Sequence, residues 1–78
     1  MIMLTNPFTA TVHEVKYLRT SNGHNVYAVR TSEGTWNTKS NAQIGLLLYG
    51  SELRYAGRTC TITLSGRGTI TDMELVSE

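Results

Sequence analysis

The stretch Ser40-Asn41-Ala42-Gln43-Ile44-Gly45-Leu46-Leu47-Leu48-Tyr49-Gly50 is the one segment of this chain that reads as a helix. Threonine-rich strand patterns lie on both sides of it, so its place in the order of elements decides the fold. Ser40 followed three residues later by Gln43 matches a capping box, in which the two side chains satisfy orphan amides of the first turn. Ile44, Leu47 and Leu48 fall on one face at helical spacing. Gly50 suits the left-handed position that ends a helix. Gly45 costs about 1 kcal/mol against alanine inside a helix. Its presence predicts a close approach of helix to sheet, which the missing Cβ allows. Leu46 and Tyr49 fall away from the apolar stripe.

Upstream, Phe8, Ala10 and Val12 alternate, and Val15 and Tyr17 resume on the opposite parity. Such a change of phase near His13 and Glu14 predicts a β-bulge in a long first strand. Asn22-Gly23 predicts a hairpin turn into a second strand, Val26 to Thr31. That strand is apolar on both parities, so its buried face is not legible. Ser32-Glu33-Gly34 makes the next turn, and Thr35 to Lys39 a short third strand with Trp36.

Downstream, Ser51 to Gly57 is ambiguous, with Leu53 expected to pack inward and Ala56-Gly57 to turn. Arg58 to Ser65 alternates Cys60, Ile62 and Leu64 with Thr59, Thr61 and Thr63. Gly66-Arg67-Gly68 turns into a last strand, Thr69 to Val76. The expectation is an all-β domain over residues 1–78, five strands and one short helix in the order β-β-β-α-β-β. That order resembles an OB-fold, a partly open Greek-key barrel, with Ile44, Leu47 and Leu48 plugging one end. An SH3-like barrel is the other topology the strands allow.

The chain is also similar to small uncharacterised proteins encoded by actinobacterial phages. The residues concerned are Leu18-Arg19-Thr20-Ser21-Asn22-Gly23, Val26-Tyr27-Ala28-Val29, Glu33-Gly34, Thr38-x-Ser40-x-Ala42 and Gly57-Arg58-Thr59-Cys60-Thr61. The resemblance implies phage origin and a host-cell cytoplasmic setting, and it supplies no activity.

Composition bounds the chemistry. Seventy-eight residues make one small core. The lone cysteine, Cys60, excludes an internal disulfide and sits on an apolar strand face, which fits a buried thiol in a reducing compartment. The opening Met-Ile-Met-Leu is followed at once by Thr5, Asn6 and Pro7, with no basic n-region and no long apolar run, so no signal peptide is read, and the expected setting is the cytoplasm. His13, His24 and Cys60 lack metal-ligand spacing, and no metal or other cofactor is expected. No nucleophile has a recognisable base, and Gly66-Arg67-Gly68 lacks the surroundings of a phosphate loop, so no enzyme is expected.

Net charge is +1, but between Lys16 and Arg67 all seven cations face only Glu33 and Glu52. On an OB-like frame, the ligand-binding strands and loops would carry Arg19, Tyr27, Arg30, Trp36, Lys39 and Arg67. Rings that stack bases beside cations that follow phosphates are what single-stranded nucleic acid requires. Each residue also has a structural reading: Trp36 and Tyr27 as core packing, Arg30 and Lys39 as edge-strand charges. A rival expectation is protein binding, to a host protein or a second copy, through Leu46, Tyr49 and Tyr55.

Overall fold

A computed structural model describes residues 6–50 and 52–76, apart from the side chain of Glu52. Among them, the strands are β1 (Phe8–Ser21), β2 (His24–Thr31), β3 (Gly34–Asn37), β4 (Thr59–Leu64) and β5 (Ile70–Leu75). Two short helices, α1 (Ala42–Leu48) and α2 (Glu52–Tyr55), lie between β3 and β4. The strands pair antiparallel in the order β3-β2-β1-β4-β5. The ladder does not run on from β3 to β5. Among the described residues one parallel bridge, Thr38 to Ile70, joins the two edges.

The organisation starts from the bulge in β1. Phe8–Thr11 pairs with β4, whereas Val12 and the residues after it pair with β2. Between Val12 and Glu14 the register slips by one, since their partners Thr31 and Arg30 are consecutive. His13 is the extra residue. The bend it introduces lets one strand serve two neighbours. Beyond it, Asn22 and Gly23 both have positive φ, 53° and 78°, the type I′ geometry whose twist suits a two-residue hairpin.

The second strand resolves the ambiguity that its sequence leaves. Tyr27, Val29 and Thr31 are buried toward the core, while Ala28 and Arg30 lie on the opposite face. Strand β3 ends at Asn37, short of the expected Lys39. There Thr38 is held by Tyr27 instead: its amide donates to the Tyr27 carbonyl at 2.8 Å, and its Oγ1 accepts from the Tyr27 amide at 2.9 Å.

The helix forms where expected, but its cap is different. Asn41 Oδ1 accepts from the Ile44 amide at 3.1 Å, and Asn41 is the N-cap. Ser40 donates instead to the Ser21 carbonyl at 2.6 Å, which ties the helix entrance to the hairpin. Both residue types cap well, and the tertiary bond to Ser21 decides between them. Ile44 and Leu48 are fully buried, with Leu47 packed at the edge of the core. A Cβ on Gly45 would lie 3.3 Å from the Asn25 carbonyl oxygen, so the close approach to the sheet is present. Gly50 follows the helix with φ of 69°.

The ambiguous segment contains the turn of α2 and reverses the expectation for its apolar residues. Tyr55 is 3 % exposed and joins the core, while Leu53 is 90 % exposed. Residues two apart on a helical turn point in nearly opposite directions, so only one of the pair can face inward. The larger ring takes that place.

Cys60 is fully buried beside Ile62, Ile70 and Met73. Burial pushes its thiol above the ordinary value of 9.0 and, as the largest cause, the Tyr55 phenol above 10.0. The charge of Arg54 opposes the phenol shift in part, and Cys60 and Asp72 add to it. The folded state therefore keeps both groups neutral at pH values where the unfolded chain ionises. Stability should be level below the unfolded thiol value and fall as pH rises through it and through the phenol value. Urea midpoints measured from pH 8 to about 10.5 check this. A constant midpoint would contradict the burial of these groups.

Candidate functional site

Strands β1, β2 and the end of β3 meet the β3–α1 connection and the β4–β5 turn at a cleft of about 600 Å³. Arg19 enters from β1, Lys39 and Ser40 from the β3–α1 connection, and Ser65, Arg67 and Thr69 from the β4–β5 turn. Among the described residues no carboxylate lines the cleft, so an anion entering it meets three cations and several hydroxyls.

Local structure fixes each cation. The Lys39 amide donates to the Ile70 carbonyl at 2.8 Å, which joins the β3–α1 connection to the exit of the β4–β5 turn. The turn is wrapped around Ser65. Its Oγ accepts from the Arg67 and Thr69 amides, each at 3.3 Å, and lies 2.7 Å from Thr69 Oγ1. Gly68, with φ of 82°, lets the chain double back and leaves Arg67 at the tip. Arg19 owes its direction to a second register slip in β1, between Tyr17 and Arg19. Lys16 pairs with Ala28 and Arg19 with Val26, two positions of like parity on β2. Residues three apart on a regular strand face opposite sides. Here the extra residue puts both cations on one face.

That register exposes a residue missed from the sequence. Lys16 lies on the outward face of the sheet, between the cleft and Arg30. The signal was available only through the strand register, since period-2 counting from Arg19 assigns Lys16 to the wrong side. Arg30 is on the same face but does not line the cleft, and its Nε lies 3.9 Å from the Glu14 carboxylate. An exposed pair of this kind contributes little to stability, yet it offsets Arg30's charge toward any ligand.

The two rings expected to stack bases lie elsewhere. Tyr27 is 1 % exposed, with its ring edge-on to Tyr17 at 5.9 Å. Trp36 pairs with Val29 on the core side of the sheet and packs against Phe8 with centroids 5.1 Å apart. Tyr27 lies in the core and Trp36 packs half-buried against it, and neither ring lines the cation cleft.

The residues of the rival expectation divide. Leu46 and Tyr49 are 73 % and 69 % exposed and line a shallow groove of about 210 Å³ against the hairpin tip, Gly23–Asn25. Tyr55 is core and drops out of that surface.

Among the described residues no three His, Cys, Asp or Glu side chains gather as a metal site, and no helix is long and apolar enough to cross a membrane. No family model, curated protein or solved structure matches the chain.

Proposed function

We propose that this chain is an OB-like binding module, not an enzyme, that holds single-stranded nucleic acid by its phosphates. The observation that carries the reading is the convergence of Arg19, Lys39 and Arg67 on one cleft with no carboxylate among its described lining residues. The OB-like part is supported by the helix between the third and fourth strands and by the Thr38–Ile70 bridge, where β3 approaches β5. The cleft also lies where such a fold takes its ligands, beside the second and third strands and the loop between the fourth and fifth. The likeness to phage proteins adds the host cytoplasm as the proposed setting.

Three or four cations set the expected strength. Each phosphate neutralised on a single strand contributes about 0.7 to the slope of log affinity against log salt. With Arg19, Lys39 and Arg67 engaged, affinity for an oligonucleotide should fall about twentyfold between 50 and 200 mM salt, and with Lys16 engaged as well about fiftyfold. Anisotropy of a labelled single-stranded oligonucleotide measures it. No binding at low salt, or binding indifferent to salt, ends this reading.

A second reading, a module that engages a host protein or a second copy, is favoured by the exposure of Leu46, Tyr49 and Leu53. Sedimentation of Leu46→Asp beside wild type separates the two: a changed coefficient with oligonucleotide binding intact favours the second reading.

A further inference from the structure

We infer that Asn37 reads the edge of one base, adenine by preference, on the strand whose phosphates occupy the cation cleft. The inference rests on the phosphate-binding reading of the cleft and adds a specificity-determining residue to it.

The first support is that Asn37 has no structural duty. Asparagine is depleted in strands, and the other asparagines of the chain each have a local reason. Asn6 bonds both the amide and the carbonyl of Leu64. Asn22 takes φ of 53° in the hairpin turn. Asn25 bonds the hydroxyls of Thr20 and Tyr27, and Asn41 caps α1. Asn37 ends β3 with its side chain exposed, and among the described residues its carboxamide makes no hydrogen bond. It differs in this from the other neutral polar side chains described in the cleft lining. Thr38 accepts from the Tyr27 amide, Ser40 donates to the Ser21 carbonyl, and Ser65 and Thr69 bond each other.

The second support is the strand register. Lys16 of β1, Ala28 of β2 and Asn37 of β3 form one row across the outward face of the sheet. The neighbouring row holds Arg19 and Val26, and both line the cleft together with Asn37. Val26 and Ala28 are two apart on β2, so they share that face. From β1 to β3 is two strand spacings, about 10 Å, a length that a nucleotide covers from its phosphate to the far edge of its base. Lys16 and Arg19 sit at one end of these rows and the Asn37 carboxamide at the other.

The third support is what lies between. Val26 is 2 % exposed yet stands apart from the core cluster, to which β2 contributes Tyr27 and Val29 from its other face. With Ala28 it makes a low apolar floor. Such a floor offers a phosphate nothing and admits the flat face of a base. No ring is among the described residues of the cleft lining, so the base is recognised by its edge. A carboxamide carries one acceptor beside one donor. Adenine presents the complement, an N6–H donor beside the N7 acceptor, on an edge that single strands leave open. On the same edge guanine presents two acceptors, cytosine a donor alone and thymine an acceptor beside a methyl group.

The test uses two short thymine oligonucleotides, one of them with a single central adenine, so that runs of stacked adenines do not intervene. Anisotropy at low and moderate salt is measured for wild type and Asn37→Ala. Asn37 is exposed, and circular dichroism checks that the variant keeps the fold. Wild type should bind the adenine-bearing strand about fivefold more tightly, the lower end of what a two-bond base contact discriminates. Asn37→Ala should bind both strands alike, with the salt slope of wild type, because no phosphate contact is lost. Equal binding of the two strands by wild type overturns the base contact and leaves the phosphate reading standing. So does an adenine preference that survives in Asn37→Ala. Failure of the wild-type chain to bind either strand overturns both readings together.

Discussion

Leu48→Ala should lower the free energy of unfolding by about 2–5 kcal/mol, a large share of what a domain of this size possesses. Leu48 is fully buried on α1, and that helix has seven residues. Isolated helices shorter than about 12–15 residues are marginal in water, so α1 depends on the face it buries. That face is Ile44 and Leu48, set against the sheet beneath the Asn25 backbone. Removing one of the two leaves a cavity, because the surrounding core relaxes only in part around a deleted side chain. Leu46→Ala is the paired control. It deletes the same side chain two residues earlier, where it is mostly exposed, and should change stability by no more than about 0.5 kcal/mol. Urea unfolding followed by Trp36 fluorescence gives both values. Equal losses for the two variants would mean that the helix does not dock as described.

Much of this frame could be read from residue order. Asn22-Gly23 specifies a hairpin because both residues must take positive φ, and both do. The parity change across His13 required an inserted residue, and the register slips there. Gly45 implied a close approach, and the Asn25 backbone supplies it. Where local chemistry pointed to one residue, tertiary contacts chose its neighbour. The capping-box pattern puts Ser40 at the N-cap, but the Ser21 carbonyl claims that serine and Asn41 caps the helix. The sequence points Leu53 inward, but the Tyr55 ring takes that place.

The candidate site was legible only in its charges. Arg19, Lys39 and Arg67 are far apart in sequence and meet because the β3–α1 connection and the β4–β5 turn are hydrogen-bonded to each other. The rings were not legible. Strand β2 is apolar on both parities, so nothing in the sequence said that Tyr27 faces inward. Trp36 follows from it by pairing with Val29 on the same side. Lys16 was hidden for a related reason, since its face depends on a bulge between Tyr17 and Arg19 that carries no glycine or proline signal. A feature that leaves no local trace appears only once the strands are paired.

Neutralising the cleft tests whether the convergence of charges has a function. Arg19→Gln, Lys39→Gln and Arg67→Gln together should reduce single-stranded oligonucleotide binding at low salt to background. Each substitution alone should weaken it severalfold and lower the salt slope by about 0.7, the share of one phosphate contact. The effects should be uniform across oligonucleotide sequences, because phosphate contacts carry no sequence information. Stability should be little affected, since all three side chains are exposed and glutamine keeps the first two methylenes of each stem. Arg30→Gln is the discriminating control. It removes the same charge from the same sheet face, but outside the cleft and beside the Glu14 carboxylate. If net charge alone attracted the strand, Arg30→Gln would weaken binding as much as Arg67→Gln does. A cleft that gathers phosphates predicts a clear gap between them, with Arg67, Lys39 and Arg19 grouped together and Arg30 near wild type.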